Sequence, residues 1–573
     1  MNQDESSDAQ IDHARIDGGF GFASAAFALG LGLLAVFERI GLPDEVLQIG
    51  VIALIFAGLV VVALLLRTMR PIDFYAGGRS LPGSYAGIAF AAVALGLFLP
   101  FLPPSRLGIG VVAAAAGFGI GCLWALFATG PILRRSGARS LADLIASRFP
   151  HILVRVPMVL LMGFCAACIA LGGYEIALRG LAAATGVDRT LGAAILGGLL
   201  ILLIVPAGLS GVVWTAAAAT IVTMVALILP LSLDLFSGMP LALPVFGDQA
   251  AWTQAAAYFA AVTGASGQAA FEPSLVVAIG LGLATLAPLF GATVATKDEG
   301  AAWRCGLVGA IWLALGSLVM AATIAGSTLA LQSIVGNRAP AALPNAILAA
   351  SGQGDIAICG VHASDPVVLD FACTAKAENG QPRPAWQEMR VDATYLLRSL
   401  PLLRGSEPTL ARLAAAFMIV LGMGTAASGL QFLVTALSHD ILHPKRRRFA
   451  VVSRRLAVSR LLTITFSILA SLWLAGQSVD AQALFTLALM LSAALVTPLL
   501  ALALMPRPTS IGAFAALCVA TFVAAHFALF GTRAIAPGEL AANAIFAAFD
   551  GVAIGLFITF LPRRRPRMEN KAE

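Results

Sequence analysis

Charge is scarce in this chain. Only 12% of its 573 residues are Asp, Glu, Lys or Arg, about half the share of a soluble globular domain. The sequence has no glycine-rich phosphate loop, no zinc-protease signature and no triad-like cluster. Paired acid and base groups at membrane depth are also missing, so no catalytic chemistry is expected and the chain reads as a non-enzyme. The first 18 residues are polar and acid-rich, unlike the basic start of a secretory signal. A net charge of +6 does not imply a nucleic-acid partner, because the basic residues cluster in short loops and at the C-terminus.

What remains is hydrophobic. Residues of that class make up 59% of the chain, mean hydropathy is +0.91, and apolar runs near 20 residues recur from end to end. A hydrocarbon core of about 30 Å needs about 20 helical residues per crossing. The expectation is an all-α polytopic protein in the lipid bilayer, with the 57 glycines letting helices pack closely. Fourteen spans are predicted: 19–37, 47–67, 84–103, 108–130, 154–178, 189–207, 211–233, 273–296, 305–330, 408–437, 456–475, 480–502, 510–531 and 541–562. "RTMR" (67–70), "RRSGAR" (134–139), "KRRR" (445–448), "SRR" (453–455), Arg507 and "RRRPR" (563–567) fall on one side of that alternation. The positive-inside rule makes that side cytoplasmic, with both termini inside. Glu175 and Arg179, one turn apart near an outer end, are expected to pair.

Two outer loops are long. Residues 234–272 contain "AWTQAAAYFAAV", read as a short surface helix. Residues 331–407 hold Cys359 and Cys373, which are either a disulfide facing an oxidising compartment or two free thiols. The other five cysteines lie in or beside spans and read as packing residues.

Two spans carry helix breakers. "SYAGIAFAAVALGLFLPFLPP" has Gly96 and Pro100 inside it, and "LVVAIGLGLATLAPLFGATVAT" has Pro288 and Gly291. Freed backbone groups are tolerated in lipid only where they are buried or line a cavity. The segments are five spans apart and so start in opposite senses. That spacing predicts an inverted five-plus-five repeat with a ligand site near the midplane, between broken helices. The plainer alternative is that Pro and Gly are ordinary in membrane helices.

Four stretches in order resemble the sodium:solute symporter family of proline, sugar, pantothenate and acetate carriers. They are "DFYAGGRSLPGSYAGIAFAA" (73–92), "GLSGVVWTAAAATIV" (208–222), "LAPLFGATVATKDEGAAWR" (286–304) and "GTAASGLQFLVTALSHD" (424–440). The resemblance covers about residues 47–500, with span 19–37 as an addition. It implies a LeuT-like fold: two leading helices within 1–72, a first repeat over 73–233, an external loop over 234–272, a second repeat over 273–502, and two further helices with a basic tail over 503–573. It also implies a sodium site between the first and eighth core helices. Carried over, the backbone ligands are Ala92 and Leu95, and the hydroxyl positions are Gly424 and Thr425. Ser428 matches a position near the substrate, with Gly96 and Pro288 at the breaks beside it. Sodium would be the coupling ion, with no other cofactor. The implied activity is uptake of a small polar solute, such as the short monocarboxylate acetate, across a bacterial plasma membrane. A small membrane subunit is a further expected partner.

The departures favour a competing reading. A family carboxylate position is Ala94, the Asp and Gln of the Trp-Thr-Asp stretch are Ala216 and Ala219, and one hydroxyl position is Gly424. Sodium held by Thr425 and a few carbonyls would have no formal negative charge nearby. Thr425 and Ser428 share a helix face, yet hydroxyls there also bond to their own helix carbonyls. A transporter-like sensor or accessory protein that has lost ion coupling is the alternative. Asp550 and His526 are the candidates for a proton route, because charge inside a span is costly. His439 and His443 have metal-ligand spacing in "HDILH", against the simpler reading of a helix end.

Overall fold

The computed structural model describes residues 3–560 except 104–106, 108, 237–240, 245, 264–271, 336–342, 353, 377–388, 406–407, 442–451 and 531–536. The C-terminal basic run, "KRRR" and His443 lie outside the described residues.

Helices α1 (Gln3–Ile40) and α2 (Asp44–Leu65) lead in. A short α3 (Pro71–Ala76) then turns sharply into α4 (Gly83–Phe98). The turn is built by "GGR": Gly77 and Gly78 have φ of 59° and 69°, and Arg79 follows at 52°. Glycine adopts that left-handed region without steric cost. The chain continues through α5 (Val111–Trp124), α6 (Gly130–Arg135), α7 (Leu141–Arg148), α8 (Ile152–Thr185), α9 (Arg189–Ile204) and α10 (Leu209–Phe236). Surface helix α11 (Gln249–Thr263) covers the "AWTQ" stretch.

Next come α12 (Pro273–Thr285), a tight turn over Ala287–Phe290, and α13 (Gly291–Val294), the two helices bent by 53°. The long α14 (Glu299–Val335) follows. The outer loop folds as α15 (Asn345–Gly352), β1 (Ile356–Ile358), α16 (Pro366–Lys376), β2 (Met389–Val391) and α17 (Ala393–Leu403). Strands β1 and β2 pair antiparallel, and a small core of their own includes Ile347, Ile356, Leu369 and Leu396. Cys359 and Cys373 are bonded across it, with Cα atoms 5.2 Å apart. Then come α18 (Pro408–Thr435), α19 (Val452–Gly476), α20 (Ala481–Leu491), α21 (Thr497–Ala503), and the peripheral hairpin α22 (Ser510–Phe530) and α23 (Pro537–Phe560).

Among the described residues ten helices are long and apolar enough to cross a membrane, eleven with the bent pair counted as one; α2, α9 and α22 hold shorter apolar stretches. α18 is the axis of the bundle, and its apolar window is wholly buried. It lies against α8 at backbone distance: a Cβ on Gly429 would come 2.6 Å from the Ala170 nitrogen. Helices without a hydrophobic drive between them gain most from such close packing.

One expectation needs correcting, and the Glu175–Arg179 pairing is met with an addition. The chain does not break at Gly96. α4 runs unbroken through Ala92, Leu95 and Gly96, and the turn Leu99–Phe101 tightens only around Pro100. One glycine costs a helix about 1 kcal/mol, which packing overrides, whereas proline removes a bond outright. Glu175 also has a second partner: besides Arg179 at 3.0 Å it takes Arg189 at 2.5 Å.

Candidate functional site

Among the described residues the α12–α13 break is the one place where a membrane-length helix pair bends by more than 40°. Leu286 leaves the helical region at ψ 104°, and Ala287, Pro288, Leu289 and Phe290 are all buried. The end of α12 finds side-chain partners. Thr129 Oγ1 donates to Ala284 O at 3.0 Å, and Thr285 and Ser492 share a hydroxyl bond of 2.9 Å. A buried helix end needs such partners.

Facing this break is a small cavity of about 40 Å³, room for a water or two. Ala89, Phe90 and Val93 of α4 line one wall, Val213 and Ala216 of α10 another, and Pro288 and Phe290 a third. Its polar side is α18, through Ser428, Gln431 and Thr435. Gln431 is buried; its Nε2 donates to Phe74 O at 2.9 Å and its Oε1 has no partner.

At the basic end, where residues 67–70 and 134–139 lie, the cavity is stopped by Tyr75, Arg139 and Ser140. α18 continues there as a π-helical turn over Ala436–Ile441, which aims His439 and Asp440 inward. Arg139 sits 2.8 Å from His439 Nε2. Guanidinium can only donate, so Nε2 accepts and Nδ1 carries the proton. That proton is given to Asp440 Oδ1 at 2.9 Å, while Ser140 donates to Oδ2 at 3.1 Å. Tyr75 packs 5.3 Å from the His439 ring and shares a 2.5 Å hydroxyl bond with Ser459. Among the described residues no group of three metal-ligating side chains occurs, and the His439–Asp440 pair is spent on this plug.

The opposite end holds a polar vestibule of about 710 Å³, closed over by the outer loop. Leu99, Pro100 and Leu102 of the α4 end and Met418 of α18 form its floor. Arg398 of α17 reaches across it to Asp355 at 2.5 Å. Burial pushes the Asp355 carboxyl above the usual carboxylate range, and Arg398 only partly offsets this.

Between vestibule and cavity lie the residues carried over as a sodium site. On α4 the order is Val93 at the cavity, Gly96, then Leu99 at the vestibule. On α18 it is Ser428, Thr425, then Met418. Gly96 meets Thr425 and Leu421 so closely that a Cβ there would fall on Thr425 Oγ1. The Thr425 hydroxyl donates to Leu421 O at 2.9 Å. Ala92 and Leu95 lie within the unbroken α4, where carbonyls point along the helix; Leu95 O takes the Leu99 N–H. The Leu95 and Ala94 side chains face a separate apolar crevice of about 680 Å³, beside α5, α11 and α14. Gly424 faces Ala216 of α10, where a Cβ would rest in ordinary contact at 3.9 Å. So Ser428 and Pro288 share the cavity, Gly96 and Thr425 form the contact beyond it, Gly424 faces Ala216, and Leu95 turns to the apolar crevice.

His526 and Asp550 lie on α22 and α23, outside this centre, and both are exposed on the bundle's outer surface. Arg139, Ser140 and Tyr75 were missed. They sit in loops or a one-turn helix far along the chain from α18, and only "GGRSLP" and "SHD" hinted at a crowded end.

No protein-family model matches the sequence, and no curated protein matches it. Solved structures do. A Na+-coupled sialic acid symporter, solved substrate-bound and outward-open, is 16% identical, with a TM-score of 0.63 over 92% of this chain and 99% of that one. A nucleobase-cation-symport-1 family transporter is 13% identical, with a TM-score of 0.49 over 86% and 96%. The symporter likeness establishes the fold: a LeuT-like inverted repeat.

Proposed function

We propose that the chain is a secondary transporter that moves a small polar solute, chemically unchanged, through the cavity between α4, α10, the α12–α13 break and α18. The observation that carries this reading is the buried break facing a polar strip of Ser428, Gln431 and Thr435. Discontinuous helices at the bilayer midplane are where such carriers hold their cargo. Transport then needs the Gly96–Thr425 seal and the Tyr75–Arg139–His439 plug to open in turn. Family resemblance supplies the finer terms: sodium as driving ion, a short monocarboxylate such as acetate as cargo, and a bacterial plasma membrane with both termini inside.

One observation favours a second reading. α4 is unbroken at Ala92 and Leu95, Gly424 offers no side chain, and the Thr425 hydroxyl bonds its own helix. Hard cations need several oxygens free to converge. A transporter-like sensor or accessory protein without sodium coupling fits that poverty of ligands.

Uptake in proteoliposomes separates the two. Labelled acetate and a panel of monocarboxylates, amino acids and sugars are offered under a sodium gradient, then a proton gradient. Sodium-driven uptake that is lost in Thr425→Ala supports the first reading with its ion. Uptake under neither gradient, from protein that still melts cooperatively, sinks it in favour of the second.

A further inference from the structure

The peripheral helix α23 buries Ala541, Ala544, Ala547, Ala548, Gly551 and Gly555 against the bundle. Its other face presents Phe546, Phe549 and Phe557, exposed by 57%, 66% and 65%. Asp550 lies among them, exposed, fourteenth of the helix's 24 residues. It makes no hydrogen bond or ion pair with any described residue. Scattered exposed phenylalanines are ordinary on a lipid-facing helix. A carboxylate at mid-span is not, since such groups nearly always face a bundle interior or a wet cavity and pair there. Hydrocarbon offers neither a donor nor a counter-charge.

We infer that this face of α23 is a docking surface for a transmembrane helix of a different chain, one with a Lys or Arg side chain at mid-span. Charge complementarity selects that occupant. A second copy does not supply it. Copies related by an axis along the membrane normal meet at equal depth, and Gly551 against Ala516 with Gly555 against Gly512 sets Asp550 level with residues 517–518 of α22. The one histidine on the α22–α23 hairpin, His526, is about nine residues further along α22, about 13 Å away in depth. A second copy would therefore bring Asp550 to Asp550. Asn543 and Phe557, seven residues either side of Asp550, fall on the same stripe and extend the contact along the helix.

The test uses the full chain reconstituted in lipid nanodiscs. The probe is a synthetic poly-leucine helix of roughly 23 residues with one central lysine, its control the same helix with leucine there. Binding is read by energy transfer between labelled peptide and labelled protein. The lysine peptide is expected to bind at least about fivefold tighter than the control, in line with polar contacts between membrane helices. Asp550→Leu should bring the ratio to one, with an unchanged melting temperature because the side chain is exposed. His526→Leu should leave the ratio intact. Equal binding of the two peptides, or a ratio that survives Asp550→Leu, overturns the proposal. So does Asp550-dependent association of the chain with itself in the absence of peptide, which would make a second copy the occupant.

Discussion

Gly96 and Thr425 touch across the α4–α18 interface, with Gly96 placed so that any side chain would land on the Thr425 hydroxyl. Leu421 O lies 2.9 Å from the same point. This contact divides the outer vestibule from the central cavity. Two residues that resemblance assigns to an ion and its solute thus act, in the closed molecule, as a seal.

The seal makes opposite demands on two glycines. Gly96→Ala forces α4 from α18 and is expected to cost about 2 kcal/mol, as overpacking does. Thr425→Ala in the same chain should recover only part of that, because Leu421 O remains. Gly424→Ser, with its nearest neighbour 3.9 Å away, should leave stability unchanged or slightly raised. Melting curves of the purified variants in one detergent check all three, and an unperturbed Gly96→Ala would refute the packing described.

The outer lid hangs on Arg398 and Asp355. Arg398→Met strands a largely buried carboxylate and is expected to cost about 3 kcal/mol; Asp355→Asn added to it should restore most of the loss. The pH dependence has a definite sign. Burial raises the folded-state pKa of Asp355 above its unfolded value. The folded protein therefore binds the proton more readily, and the group's contribution is greatest below the unfolded pKa and declines as pH rises through the raised one. Without Arg398 the raise grows. The Arg398→Met deficit should be large at alkaline pH and shrink on acidification, as seen in melting temperatures across a pH series.

The Cys359–Cys373 bridge closes a 14-residue separation, for which loop entropy gives about 3 kcal/mol. Alkylation of the unfolded chain should modify five of the seven cysteines without reductant and all seven with it. Reduction should raise proteolysis within 331–407 before it affects the membrane helices. Seven alkylated cysteines in unreduced protein from an oxidising compartment would contradict the bridge.

At the basic end, Asp440→Ala leaves the His439 Nδ1–H and the Ser140 hydroxyl without their acceptor. A loss of about 2–3 kcal/mol is expected, as for a broken buried network. His439→Ala removes the Arg139 acceptor as well as the Tyr75 ring contact. If the plug is a gate, both variants should make a single cysteine placed at Ser428 more reactive to a polar maleimide added from that end. Unchanged reactivity in both would mean the plug only holds the helices together.

Periodic hydrophobicity determined much of this protein. Apolar length set the helices, and Pro288 marked a break, because proline forbids a helical bond whatever surrounds it. Gly77 and Gly78 permit the tight turn before α4 for a local reason too: glycine adopts left-handed backbone without steric cost. Gly96 misled, since a glycine permits a break without requiring one, and packing against Thr425 decided for a straight helix. The cavity was half legible. Ser428 could be placed by its helix face, but Tyr75, Arg139 and Ser140 reach the cavity from elements remote in sequence. Asp550 was legible as an unusual residue, whereas its outward aim was not. Hydrogen bonds within a helix are local and so written in the sequence; which face meets which neighbour depends on every helix at once, and only the tertiary structure decided that.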